Sequence, residues 1–140
     1  MTAVADAGDL IEREWPFDGP HDSETVVSAA HALAALVRYL DNATQPRLAP
    51  KTLPYGPTVR RVLFGVSHAL GGMDQLFTQL RERMSTLADD STMYDDRRDR
   101  PAAQTADEVL AALSDAHRDL LELTTRVQVA CSAVDHLGHD

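Results

Sequence analysis

Residues 59 to 87 read VRRVLFGVSHALGGMDQLFTQLRERMSTL, and the apolar positions in that stretch return every seven residues. With Val59 as heptad position a, the a row is Val59, Val66, Met73, Leu80 and Leu87, the d row is Val62, Ala69 and Leu76, and the e row is Leu63, Leu70, Phe77 and Met84. A stripe of this kind is what a helix buries against its neighbours. Arg83, at d, is its one polar member. Further along, Ala106, Leu113, Leu120, Val127 and Val134 occupy a, while Val109, Ala116, Leu123, Ala130 and Leu137 occupy d. A shorter run before residue 59 sets Val26, Leu33 and Leu40 at a and Ala29 and Leu36 at d, with Ala30 and Val37 beside them. The phase never breaks within a run, so the expected fold is all-α: an antiparallel three-helix bundle with long second and third helices.

Local signals place the ends of these helices near 22 to 43, 57 to 88 and 102 to 137. Asp22 can cap the first, and Asn42 with Pro46 stops it. Pro57, after Gly56, suits the first turn of the second. The third can start at Pro101 or at Thr105, whose hydroxyl with the Glu108 carboxylate would form a capping box. The connection carrying Pro46, Pro50, Pro54 and Pro57 is expected to be extended, and the polar segment from Asp89 to Arg100 to be an exposed, mobile loop. Gly65, Gly71 and Gly72 lie inside the second helix, where each costs about 1 kcal/mol relative to alanine. Close packing on that face, a mild kink, or a break at Gly71-Gly72 are the alternatives.

Around this pattern the chain is 140 residues long, 44% hydrophobic, with one Cys and a formal charge of −9. That is enough for a single domain with its own core. The longest stretches free of Asp, Glu, Lys and Arg, residues 25–37 and 62–73, fall short of the roughly 20 residues a membrane span needs. The start of the chain has neither the basic opening nor the apolar run of a signal peptide, and Cys131 has no partner for an internal disulfide. A reducing cytoplasm is the expected compartment. The divisions expected are an acidic arm over 1–21, able to hold a short helix, a bundle over 22–137, and a tail over 138–140.

Charge is segregated. Residues 1–24 hold seven acids and one base, whereas residues 43–73 hold Arg47, Lys51, Arg60 and Arg61 and no acid. Cations in the first turns of a helix oppose its dipole, while its free N–H groups favour an anion. Arg47, Lys51, Tyr55, Arg60 and Arg61 are therefore an anion-binding candidate, set against a solvated face or neutralisation by the chain's own acidic arm. Four charges with little aromatic interleaving, on an acidic chain, argue against nucleic acid.

No Glu-x-x-His pair of the kind used by di-iron bundles occurs, and the terminal group Asp135, His136, His139 and Asp140 follows a helix end frayed by Gly138. No metal and no cofactor is expected. His117 falls at e, the edge of the core, where a hydrogen-bonded structural role is expected. Cys131, also at e, has no helical neighbour that would activate it, and the Gly71-Gly72 pair lacks the preceding strand of a phosphate loop. An enzyme is not expected.

The run Leu53-Pro54-Tyr55-Gly56-Pro57-Thr58-Val59-Arg60-Arg61-Val62-Leu63, with Leu76 to Leu80 and Tyr94-Asp95-Asp96-Arg97, resembles a set of uncharacterised small helical proteins of actinobacteria. The likeness spans roughly residues 24 to 137 and implies an accessory product of a mobile or conjugative element. Helical secretion substrates with a Trp-x-Gly turn are not matched, since Trp15 precedes the first helix and is followed by Pro16-Phe17.

The expected function is a non-enzymatic interaction module that binds another protein or its own copy; the alternative is a small-ligand or anion-binding protein using the basic start of the second helix. At 1.5 Å per residue the first helix is about 33 Å long, against about 48 and 54 Å for the others. Its shortness would leave an apolar strip bare around Leu80, Met84, Leu87, Val109, Leu110 and Leu113. Leu10, Ile11, Trp15 and Phe17 of the arm are the right chemistry to cap that strip, or a second chain could cover it. The interaction candidates are thus Trp15, Phe17, Met84, Leu87, Leu110 and Leu113.

Overall fold

The computed structural model describes Val4 and residues 6–138, and every regular element among them is helical. The helices are α1 (Ala7–Glu14), α2 (Ser23–Ala43), α3 (Ala49–Thr52), α4 (Gly56–Ala88) and α5 (Ala102–Val134). Two compact units divide the chain, residues 1–54 and 55–140.

In the first unit, Asp6 starts α1 by accepting the Gly8 and Asp9 backbone N–H groups. Asp22 starts α2 through a reciprocal box: its carboxylate accepts the Thr25 N–H while its own N–H donates to the Thr25 hydroxyl. That satisfies two of the donors every helix start leaves free. The arm does contain a short helix, and it shares a unit with α2. The proline-bearing connection is not simply extended, since residues 49–52 close a helical turn. Its Thr52 hydroxyl donates to the Ala43 carbonyl at 2.8 Å, tying the turn to the end of α2.

The second unit is an antiparallel pair of 33-residue helices, α4 and α5. Gly56 lies against Leu137 at one end, Asp74 meets His117 midway, and the chain reverses through residues 89–101. Pro57 enters in the first turn of α4, and α5 takes the earlier of its two starts, with Pro101 as the capping position. Helix α4 passes through Gly71-Gly72 without a break. It does so without close packing at the flank of the stripe, because a Cβ on Gly65 or Gly72 would meet no atom within 4 Å.

The turn between the long helices corrects the expectation of a fully exposed loop. Asp95 is buried there at 7% exposure. It accepts the Arg97 backbone N–H at 2.9 Å, the Arg97 Nε and Nη2 at 3.0 and 2.7 Å, and the Thr105 hydroxyl. Thr105, a candidate helix cap in the sequence, is thus spent on closing the turn. Arg98, at φ 58°, stacks on the Tyr94 ring at 3.9 Å, and Arg100 reaches Glu108 at 2.7 Å.

Candidate functional site

Heptad rows decide what the α4–α5 hairpin hides and what it presents. The seam is built mainly from the a and e rows: Ala106, Leu120 and Val134 are its most buried apolar residues, with Leu63, Leu70, Met73 and Phe77 half-buried opposite them. Met84 and Leu87 on α4, and Leu110 and Leu113 on α5, belong to these rows and are also half-buried. Four of the six interaction candidates therefore lie in the seam.

The exposed apolar positions are others. Leu76 is 45% and Leu123 49% exposed; Leu80 and Val109 are exposed as well, and so are Ala69, Ala116 and Ala130. All but Leu80 are d positions, and Leu80 adjoins that row. Reversing the direction of a helix mirrors the order of its rows, so in an antiparallel pair the d rows of α4 and α5 fall on the same side of the seam. The other side carries the b and f rows and is mixed: Arg81, Glu82 and Ser85 of α4 line one groove with Leu110, Ala111 and Ser114 of α5. A second groove there is lined by Arg60, Phe64, Ser67, His68, Gln128, Cys131 and Asp135, with Phe64 exposed.

One polar group enters the seam. His117, 8% exposed, has Nε2 2.6 Å from Asp74 Oδ1 and Nδ1 3.3 Å from Arg81 Nη1, and its ring lies 6.0 Å from that of Phe77. A guanidinium has only donors, so Nδ1 accepts from Arg81 and the ring proton sits on Nε2, donated to Asp74. Both nitrogens are occupied. The triad joins the two helices at one level, and a slip of one turn would separate a buried imidazole from its partners. The ring is hydrogen-bonded through both nitrogens, the hydrogen bonding expected at position e.

The basic candidates divide between the units. Arg47 and Lys51 belong to the first: Arg47 donates to Gln45 at 3.3 Å, and Lys51 sits in the last turn of α3. Tyr55, Arg60 and Arg61 begin the second, with Tyr55 at the capping position of α4. Arg60 forms an ion pair with Asp135 at the far end of α5. Its charge is met by an acid at the end of α5, where the expected internal neutralisation was by the acidic arm. Arg61 is exposed beside Phe64.

In the first unit, Trp15 and Phe17 line a groove of about 450 Å³ with Val26, Ala29, Leu33 and Leu36, so the arm turns its rings to the apolar row of α2. Of the terminal acid and histidine group, His139 and Asp140 lie outside the described residues. Among the described residues no cluster of three metal-ligating side chains occurs, and no helix is long and apolar enough to cross a membrane.

No family model, curated protein or solved structure matches the chain. The site is therefore defined by its own geometry. What sequence reasoning missed is which half of the wide stripe stays open, and the signal was the buried polar residue: His117 at e marks the seam side, leaving d outside.

Proposed function

We propose that this protein is a non-enzymatic helical interaction module that receives protein helices on the d-row face of α4–α5. The observation that carries this is the exposure of Leu76 and Leu123, midway along two 33-residue helices whose adjoining seam residues are half-buried on α4 and buried or half-buried on α5. Contiguous apolar surface of this extent marks a contact site. A single polar triad, with both imidazole nitrogens occupied, supports a positioning role over catalysis at the seam. The three-helix bundle expected from the sequence is the competing arrangement, in which the d rows are part of the chain's own core.

Comparing the full chain with its Leu76→Glu, Leu123→Glu double variant separates the two. Diluted to where both sediment as single copies, the two should melt together, because a bare face loses little, within about 0.5 kcal/mol per site, on becoming polar. A large drop in the variant's midpoint under those conditions identifies the face as internal core and overturns the proposal.

A further inference from the structure

Resting on that reading, we propose that the occupant of the face is a second copy of the chain, in a twofold dimer that lays α4 of each hairpin over α5 of the other to form a four-helix bundle. The contacts of Gly56 with Leu137 and of Asp74 with His117 set the level of every d position along the pair. Val62 comes level with Ala130, Ala69 with Leu123, and Leu76 with Ala116. Each of these three levels thus holds one large and one small side chain. When α4 lies over the opposing α5 with the twofold axis along the bundle, Leu76 meets the partner's Ala116 and Leu123 meets the partner's Ala69. Large on small at these three levels favours interdigitated packing, whereas at the next d level Arg83 meets the partner's Val109 and must lie along the edge of the face.

Net helix charge accords with the same arrangement. Helix α4 carries Arg60, Arg61, Arg81 and Arg83 against Asp74 and Glu82, a net +2. Helix α5 carries five acids against Arg118 and Arg126, a net −3. Over whole helices, stacking α4 on α5 sets opposite net signs together, although Arg60, Asp74, Arg81 and Glu82 lie on the side away from the face. The area suffices: a face roughly 50 Å long and about 15 Å wide offers about 750 Å² per copy, near the ~800 Å² per partner of a stable interface. Gly65 and Gly72 flank the d row with open space where a Cβ would stand, so a second backbone can approach there.

Sedimentation of the full chain, with cysteine cross-linking, tests this. At concentrations above the dilution used for the melts, the native chain should sediment at twice the monomer mass, and the Leu76→Glu, Leu123→Glu variant as a single copy with unchanged helical circular dichroism. Should that variant lose its helicity, the cross-links decide. In a Cys131→Ser background, chains carrying Leu76→Cys are mixed with chains carrying Ala116→Cys and oxidised, and the mixed disulfide should exceed either same-site dimer severalfold. A native chain of single-copy mass at every concentration, a dimer untouched by the double substitution, or predominance of same-site disulfides each overturns the second copy as occupant. If the native chain is a single copy while the diluted melts still coincide, the occupant falls and the interaction face stands. If the melts separate, both fall.

Discussion

The seam of the α4–α5 hairpin and its d-row face come from the same heptads, yet they meet different surroundings. Leu120 is 8% exposed and Leu123, three residues on, is 49% exposed. A stripe that fills a, d and e spans about 100° of helix surface. One neighbouring helix covers the a and e half, and nothing in the hairpin reaches the remainder. Stripe width therefore counts neighbours: this one is wide enough for two, and the hairpin supplies one.

Truncating one leucine on each side gives the largest contrast. Leu120→Ala should cost about 2–3 kcal/mol in urea unfolding of the diluted chain, as a large-to-small change in a packed seam does. Leu123→Ala under the same conditions should stay within about 0.5 kcal/mol. Comparable losses at the two sites would erase the distinction between seam and face.

A second contrast separates the two ends of the hairpin. At the open end, Arg60 and Asp135 pair across solvent, both about half exposed, and such pairs contribute little. At the turn, the Arg97 guanidinium and the Thr105 hydroxyl hold the buried Asp95 carboxyl well below the usual carboxylate range. A carboxylate whose folded value is depressed adds stability that is fully present above its unfolded value, about 3.9, and is lost as pH falls through the folded value. Asp95→Asn, which removes the charge and keeps the shape, should therefore lower the thermal midpoint by a constant amount between about pH 5 and 8. The gap should narrow as pH drops below about 4. A gap that ignores acid would show that the Asp95 charge is not what closes the turn. The matching Asp135→Asn change should move the midpoint far less.

Helix ends were legible in the sequence because their causes are local. Asp22 with Thr25, Pro57 and Pro101 act within a turn of themselves, and the observed helices begin beside them. The burial of Asp95 was not legible: its partners converge from Arg97 and from Thr105, ten residues on, and composition alone makes that segment look solvated. Nor was the division of the stripe. Periodicity reports which residues are apolar, not how many neighbours are present to cover them, so helix lengths alone made Met84, Leu87, Leu110 and Leu113 look bare while Leu76 was placed in the core stripe. The basic cluster failed for a similar reason, since Arg60 and Asp135 are 75 residues apart in sequence and adjacent only once the hairpin closes.

The adjacent glycines of α4 fall on different sides of the hairpin. Gly72 lies on the flank of the d-row face, whereas Gly71, one residue earlier, lines a groove on the other side. Neither has an atom within 4 Å of where a Cβ would stand. In a single copy both substitutions, Gly71→Ala and Gly72→Ala, should therefore raise stability by up to about 1 kcal/mol, chiefly by restricting the unfolded chain and improving helix propensity. Association should split the pair. If a helix packs on the d-row face, the Gly71→Ala gain persists at high concentration, while at Gly72 the added methyl meets the approaching backbone and the gain shrinks or changes sign. Melting both variants across a concentration series reads this directly. Equal gains at every concentration would mean that nothing approaches the flank of that face, and that its openness is a property of the hairpin in isolation and in company alike.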